Sequence, residues 1–145
     1  MSLKTWKKEF YSRPLKKFTK IQAIEHSLKK WTGLSKKNIQ KHGLFLKNYT
    51  SLRDAENLSI NIDCESCALC VKYLKDWDGS VISKCEQCPL YITLGRACDD
   101  RTSGDSPYSL FIDNQDPEPM IVALKKCLKE NSSEKKSPPL TLFIE

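Results

Sequence analysis

The amino-acid sequence predicts a single, mostly helical domain that contains a small β-hairpin, and three observations lead to this fold class. The chain has 145 residues, which suits one hydrophobic core better than two. Apolar residues recur at three- and four-residue steps in its first third and again near its C-terminal end. Between these segments, six of the seven cysteines fall within 35 residues. We expect a basic N-terminal arm at residues 1–15, the helical domain at residues 16–130, and a linker and C-terminal tail at residues 131–145.

The first third of the chain predicts two consecutive helices behind the arm. Residues 1–15 are basic with scattered aromatic side chains, and we expect them to be irregular as far as Arg13-Pro14. A helix follows over residues 16–32, and its apolar stripe consists of Phe18, Ile21, Ile24, Leu28 and Trp31. Gly33 is a suitable C-cap for this helix, and Ser35 can cap a second helix that extends through His42.

The central part of the chain predicts the β-structure. Residues 58–62 alternate apolar and polar side chains, which is typical of a short strand. Asp78-Gly79 is a favourable turn, and residues 80–83 would return as a strand towards the following cysteines, which completes a hairpin. Residues 64–77 have two interpretations, a helix or a metal-binding turn followed by a strand.

The last third predicts two helices separated by a loop. Residues 88–95 form a short helix that ends at Gly95, and residues 99–119 are mostly loop with a possible short strand at residues 108–112. Asp116-Pro117-Glu118 supplies an N-cap, an early proline and an acid for the helix dipole. The final helix is expected to extend to about Glu130.

The cysteine cluster predicts a bound zinc ion. A C-x2-C turn presents two sulfur atoms from one tight loop, and zinc prefers four ligands in a tetrahedron. Two such turns, separated by 14 residues, give the best ligand set as Cys67, Cys70, Cys85 and Cys88, with Cys64 and Cys98 as alternates. The expected fold is therefore mostly α with a small zinc-centred β-hairpin, of treble-clef or zinc-knuckle type. Four thiolates close the coordination shell, so the metal would be structural.

Two other interpretations of the cysteines stay open. The run Cys64-x2-Cys67-x2-Cys70 with a later Cys88-Pro89 also resembles the ligand run of iron–sulfur proteins, although the fourth cysteine lies much closer there. Disulfides are disfavoured by the odd total of seven and by an N-terminal segment without the apolar stretch of a secretory signal. Cys127 lies on the apolar stripe of the last helix and is expected to be a core residue.

The sequence predicts no catalytic residue. Its two histidines, His26 and His42, fall in neither an H-x-E nor an H-E-x-x-H arrangement, so zinc deaminases and metalloproteases of those types lack their motifs. His42 could serve a zinc-supported nuclease only with a second metal ligand beside it. A capping or helix-surface role is the simpler expectation for this residue.

Charge is distributed unevenly along the chain. Residues 1–50 carry thirteen lysines and arginines against two acids, whereas residues 51–118 carry six against thirteen. This asymmetry predicts a face that attracts polyanions, and mutual neutralisation of the two halves is the alternative. The candidate contacts for a polyanion or a partner are Lys16, Lys20, Lys29, Lys30, Lys36, Lys37 and Lys41. No apolar run approaches the roughly 18 residues of a membrane helix, so no membrane association is expected.

Four short motifs give the chain a resemblance to small, mostly uncharacterised proteins encoded by tailed phages and prophages. They are S-C-A-L-C at residues 66–70, C-x2-C-P-L at residues 85–90, G-R-A-C at residues 95–98 and S-P-Y at residues 106–108. The similar region covers about two-thirds of the chain, and Cys64 is peculiar to this chain. The resemblance implies expression in the cytoplasm of a bacterial host cell and brings no settled activity with it.

These observations define one leading function and three alternatives. The leading expectation is a small zinc-stabilised, non-enzymatic accessory protein of phage type that binds and modulates a host protein, as an anti-defence inhibitor would. The main alternative is a nucleic-acid-binding zinc protein that uses the basic N-terminal half. The weaker alternatives are a zinc-supported nuclease and a protein that sequesters an anionic nucleotide.

Overall fold

The computed structural model describes residues 2–12, 18–47, 51–62, 67–74, 88–96, 98 and 104–136. The elements within these ranges are α1 Leu3–Phe10, α2 Lys20–Gly33, α3 Lys36–Lys41, β1 Phe45–Lys47, β2 Ser51–Arg53, β3 Ser59–Asn61, α4 Ala68–Leu74, α5 Pro89–Leu94, α6 Pro107–Asn114 and α7 Glu118–Lys136. The prediction of a mostly helical fold with a small β-element is confirmed. None of these helices combines the length and the hydropathy that a membrane-crossing helix requires.

Helix α2 is the centre of the fold, since α1, α4 and α7 pack against it, and α5 and α6 pack in turn against α7. Trp31 of α2 meets Phe111 of α6 edge to face, with 4.9 Å between the ring centroids, which is a favourable aromatic geometry. Leu124 and Cys127 of α7 are fully buried. The prediction that Cys127 is a core residue is therefore confirmed.

Helix α1 replaces the irregular structure predicted for the N-terminal residues, and that prediction was wrong. Ser2 and Thr5 begin the helix with a capping box, in which each side-chain oxygen accepts the backbone N–H of the other residue at 3.3 and 2.9 Å. Leu3, Trp6 and Phe10 occupy one face of the helix and are buried. The spacing of these three residues marks an amphipathic helix that belongs to the hydrophobic core.

The C-terminal end of α2 lies directly against α1. The indole N–H of Trp6 donates to the carbonyl oxygen of Gly33 at 2.8 Å. A Cβ atom at Gly33 would lie only 2.5 Å from Cγ of Phe10, far inside the usual separation of carbon atoms. Gly33 is the last residue of α2 and Leu34 is its C-cap, so this glycine is required by close approach and not by the predicted capping role.

Helices α2 and α3 confirm the predicted pair of helices. Thr19 and Gln22 form a capping box at the start of α2, four residues after the start that periodicity predicted. Ser35 is the N-cap of α3, as predicted. Residues 13–17, where the arm was expected to end, lie outside the described residues.

The three strands form an antiparallel sheet in the order β1-β2-β3. Leu46, Leu52 and Ile60 are paired across it, so they share one face. Strand β3 confirms the strand predicted at residues 58–62, whereas β1 and β2 were not predicted. The hairpin predicted around Asp78-Gly79 lies outside the described residues.

Asp54 joins the turn between β2 and β3 to the start of α1. Its carboxylate accepts the backbone N–H groups of Leu3, Glu56 and Leu58 at 3.1, 2.9 and 3.0 Å, and the residue is buried. Burial by itself would raise the pKa of this carboxyl, but the three N–H donors outweigh it and hold the pKa below its ordinary value. The charged form of Asp54 is therefore the form that the fold stabilises.

We expect Asp54→Asn to lower the melting temperature at neutral pH, because an amide offers one acceptor oxygen where the carboxylate offers two. Because the pKa of Asp54 is lowered in the folded state, its carboxylate stabilises the fold at pH values above the ordinary aspartate pKa of about 3.9. This contribution is lost as the pH falls through the folded-state pKa. The difference in melting temperature between the original chain and Asp54→Asn should therefore become smaller below about pH 4. Melting curves from pH 7 to pH 3 measure this.

A matched control for this experiment is Asp116→Asn, since Asp116 is exposed and accepts a single backbone N–H, that of Glu118, at 3.0 Å. Its melting temperature should stay close to that of the original chain across the same range. A constant difference between Asp54→Asn and the original chain at every pH would contradict the assigned role of the carboxylate.

The C-terminal helices differ from the prediction at two places. Residues 108–112, predicted as a possible strand, lie within helix α6, where the hydroxyl of Ser106 accepts the N–H of Ser109 and Pro107 occupies the first turn. Helix α7 continues to Lys136, beyond the end predicted near Glu130. The remaining tail, residues 137–145, lies outside the described residues.

Candidate metal centre

Four cysteines from three segments lie around the helical core. Cys67 directly precedes α4 and Cys70 lies in its first turn, Cys88 is the N-cap of α5, and Cys98 follows the turn after α5. All four are partly buried. The carbonyl oxygen of Cys98 accepts the backbone N–H of Tyr108 at 3.0 Å, which fixes this segment against α6.

Three of these thiols face one cavity of about 180 Å³. Its wall combines the thiols of Cys67, Cys70 and Cys98 with polar and apolar groups from α2, α4, α5, α6 and α7: Ser27, Lys30, Trp31, Leu69, Leu90, Tyr108, Met120 and Leu124. The hydroxyl of Ser27 and the sulfur of Cys67 are 3.5 Å apart. The structure therefore brings Cys98, predicted only as an alternate ligand, to the same space as the first C-x2-C turn.

The thiols of this cluster differ in acidity. A hydrogen bond from the thiol of Cys70, assisted by the positive charge of Lys30, holds the pKa of Cys67 well below its ordinary value. The same hydrogen bond, together with burial, raises the pKa of Cys70. Burial and the neighbouring charge of Cys67 raise the pKa of Cys88 to about 12. Among Cys67, Cys70 and Cys88, Cys67 is the one whose pKa is lowered.

The donor chemistry of this cluster suits a thiophilic divalent cation. Zinc takes cysteine thiolates as ligands and supplies the positive charge that neighbouring thiols need in order to ionise together. Among the residues that the structure describes, however, no three cysteine, histidine, aspartate or glutamate side chains lie close enough to hold a metal ion. Cys64 and Cys85 lie outside those residues, so the predicted ligand set stays a prediction.

Lys30 is not on the surface where the sequence placed it. Its side chain is 2% exposed, and its ammonium nitrogen lies 5.6 Å from the ring centroid of Trp31. The prediction that Lys30 contacts a polyanion on the surface was wrong, because this residue faces the thiol cavity. Helix periodicity could have predicted this burial. Lys30 follows Ala23 by seven residues and Ser27 by three, so it lies on the same face of α2 as these two buried residues.

The other predicted lysine contacts remain on the surface. Lys20, Lys29, Lys36, Lys37 and Lys41 are exposed, and Lys16 lies outside the described residues. Lys41 lies 3.2 Å from the carboxylate of Glu9. Sequence reasoning did not propose the exposed lysines of α1, because it treated that segment as irregular.

His42 connects the end of α3 to α1. Its Nδ1 lies 2.9 Å from the hydroxyl of Thr5, its Nε2 lies 2.7 Å from the carboxylate of Glu9, and the ring is buried. The hydrogen bond from His42 lowers the pKa of Glu9. Both ring nitrogens thus have partners within the protein, which fits a structural role. His42 is the C-cap of α3, so the expected capping role is confirmed, whereas the helix-surface alternative was wrong because the ring is buried.

Comparisons with known proteins do not assign this chain to a family. No protein-family model, no curated protein and no solved structure matches this chain. The features of the described residues that bear on function are therefore the cysteine cluster and the charged surfaces.

Proposed function

We propose that this chain is a zinc-stabilised binding protein without a catalytic centre, which acts as a phage-type accessory protein on a host protein. One observation supports it above the others. Cysteines from three separate segments, at Cys67 and Cys70, at Cys88 and at Cys98, approach the same side of the helical core. Zinc bound by four of the clustered cysteines would tie these segments to each other.

Such a tie would stabilise the segments that carry the cysteines. Helix α4 has 7 residues and α5 has 6, and isolated helices shorter than about 12 residues are marginal in water. A closed four-thiolate shell leaves no coordination position for a substrate, so the metal supplies stability and not chemistry. Since the ligands are assembled only in the folded chain, the free energy of zinc binding becomes free energy of folding.

The test of this function has two stages, metal content and partner binding. Protein purified without chelator should carry one zinc ion per chain by elemental analysis. Tagged chain expressed in a bacterial host should then retain a host protein, and the purified pair should form a complex of fixed stoichiometry by size-exclusion chromatography and calorimetry. Cys88→Ser, expected to lack zinc, is the matched control, and a partner retained equally by the unfolded control would contradict specific binding.

A second candidate function, binding to nucleic acid, is supported by the exposed lysines of two adjacent helices. Helices α1 and α3 are linked by the contacts of Glu9 with Lys41 and His42. The exposed lysines of this α1–α3 lysine face are Lys4, Lys7, Lys8, Lys36, Lys37 and Lys41. Ammonium groups on one face provide sequence-independent contacts to phosphates.

If this face binds nucleic acid, the affinity for random-sequence duplex DNA should fall steeply between about 50 and 200 mM salt, with a logarithmic slope of about −0.9 for each phosphate contact. The double variant Lys7→Glu with Lys36→Glu should weaken binding and reduce the slope. The control is Lys125→Glu with Lys126→Glu, since both residues are exposed on α7. An equal loss of affinity in both double variants would indicate that net charge alone attracts the DNA. The absence of binding at the lower salt concentration would exclude nucleic-acid binding as the function.

A further inference from the structure

The three-stranded sheet has a second face, opposite the one that carries Leu46, Leu52 and Ile60. Side chains alternate between the two faces of a sheet, so the neighbours of these three residues along each strand share the opposite face. In the pairing register they form two rows across the strands. We call them the outer sheet face: Phe45, Arg53 and Ser59 in one row, and Lys47, Ser51 and Asn61 in the other.

The outer sheet face combines an exposed aromatic ring with positive charge. Phe45 is 48% exposed, and Lys47, two residues further along β1, is exposed as well. Arg53 lies directly opposite Phe45 on β2. The three strands contain these two cations and no acid, and the carboxylate of Asp54, which follows β2, is already bound by three backbone N–H groups. The charge of this face therefore favours an anionic ligand.

Two polar groups of the outer sheet face have no hydrogen-bond partner in the part of the chain that the structure describes. They are the hydroxyl of Ser51 and the Nε–H of Arg53, and both atoms are buried. The guanidinium of Arg53 donates from Nη1 to the side-chain oxygen of Asn57 at 2.9 Å, which leaves other N–H groups of its fork for a phosphate. Ser51 lies between Lys47 and Asn61 across the strands, so a ligand that binds these two exposed side chains also approaches its hydroxyl. Buried polar groups nearly always have partners, and a ligand on this face would supply them.

The dimensions of the outer sheet face suit one base with its phosphates. Neighbouring strands lie about 4.8 Å apart, so three strands span about 10 Å, and residues two apart on one strand are separated by about 7 Å. The bases of a double helix are stacked on each other, so only an unpaired strand can place a base flat against Phe45. Such stacking does not depend on sequence, because every base has a π-face.

We propose that the outer sheet face binds single-stranded nucleic acid, with one base stacked on Phe45 and the adjacent phosphates bound by Lys47 and Arg53. Exposed aromatic rings beside cations are the general means by which proteins hold single strands without reading their sequence. This binding activity goes beyond the proposed function, and it depends neither on the zinc site nor on the α1–α3 lysine face.

The test is fluorescence anisotropy of the full chain with a labelled single-stranded DNA of about eight nucleotides at about 50 mM salt. Phe45→Leu keeps an apolar side chain but removes the ring, so the affinity should fall about 5- to 150-fold, the usual worth of stacking one base. Phe45→Trp keeps an aromatic ring and should bind at least as tightly as the original chain. The matched control is Ile92→Ala, since Ile92 is an apolar residue of α5 that is 70% exposed, and its affinity should not change.

Lys47→Gln tests the phosphate contact separately from the stacking. Loss of one contact to a single strand should reduce the logarithmic slope of affinity against salt by about 0.7. Lys125→Gln makes the same change of charge at an exposed position of α7 and should leave the slope as it is. Since Phe45 and Lys47 are both exposed, these variants should keep the circular dichroism spectrum of the original chain.

Four results would overturn the proposal. The original chain could fail to bind the single strand at about 50 mM salt. Phe45→Leu could bind it as tightly as the original chain does, which would assign the binding to another surface. Phe45→Leu could also weaken the binding of duplex DNA as much as that of the single strand. Finally, competition by a free mononucleotide at the same concentration as the unlabelled strand would make the nucleotide, and not the strand, the ligand of this face.

Discussion

From the proposed zinc site we expect Cys67→Ser to abolish zinc binding and to unfold the chain. Cys67 belongs to both the first C-x2-C turn and the cavity wall, and the hydrogen bond from Cys70 lowers the pKa of its thiol. Structural zinc sites have apparent binding free energies of about 10–16 kcal/mol in small zinc-dependent peptides at neutral pH. This is comparable to the whole stability of a typical domain, which is about 5–15 kcal/mol. The loss of one ligand should therefore be decisive for folding.

Elemental analysis and circular dichroism of the purified variants measure this prediction. Cys70→Ser, Cys85→Ser and Cys88→Ser should behave in the same way if the predicted ligand set is correct. Cys98→Ser decides between the alternatives, because Cys98 lines the cavity with Cys67 and Cys70 although the spacing of the motifs favoured Cys85. If the original protein contains iron and shows a visible charge-transfer band, its cofactor is an iron–sulfur cluster and not zinc.

The matched control for this series is Cys127→Ser, which makes the same substitution at a fully buried cysteine of α7. Cys127 does not line the thiol cavity, so its replacement should leave the metal content at one zinc per chain. It should lower the melting temperature, because a hydroxyl replaces an apolar thiol in the core. Full zinc content in Cys67→Ser, with an unchanged melting temperature, would show that the cluster does not hold the metal.

Trp6→Ala is expected to destabilise the zinc-loaded protein by about 3–5 kcal/mol, the usual cost of removing a large aromatic side chain from a core. Trp6 is 1% exposed and joins α1 to the end of α2 through its hydrogen bond to Gly33. Its removal leaves a cavity between these helices and a buried carbonyl oxygen without its donor. Denaturant unfolding at saturating zinc measures the change.

Lys7→Ala is the control for this prediction, since Lys7 is the exposed neighbour of Trp6 on α1, and it should change the free energy of unfolding by about 0.5 kcal/mol or less. Gly33→Ala probes the same contact from the other side and should cost about 1–3 kcal/mol, because the new methyl group meets the ring of Phe10. Equal stability of Trp6→Ala and Lys7→Ala would mean that α1 is dispensable for the fold.

The sequence was sufficient for the elements whose local signals agree. Residues 20–33 combine a cap with apolar periodicity, and residues 88–95 combine an early proline with a terminal glycine in a left-handed conformation. Helix α1 carried the same kind of signal in Leu3, Trp6 and Phe10, but its lysines suggested an arm. Strand β1 begins with two adjacent apolar residues and β2 contains only one, so neither shows the apolar–polar alternation that residues 58–62 show around β3.

The site was predictable only in part, for a physical reason. C-x2-C spacing identifies thiols that are close because they share one turn, so Cys67 and Cys70 could be paired from the sequence alone. The placement of Cys98 and Lys30 depends on tertiary packing between distant segments, and no local pattern encodes it. Sequence reasoning assigns a lysine in a polar-looking helix to the surface, because lysine is almost never fully buried.

The anchoring of α1 has a consequence for the order of events during synthesis. Helix α1 leaves the ribosome before α2 and the sheet, but it is only 8 residues long and cannot persist alone. Its anchors are Gly33 and Asp54, which lie 27 residues from Trp6 and 51 residues from Leu3 along the chain. Helix α1 must therefore wait for α2 and the sheet before it docks, and until then its aromatic face is exposed to chaperones and to non-native contacts.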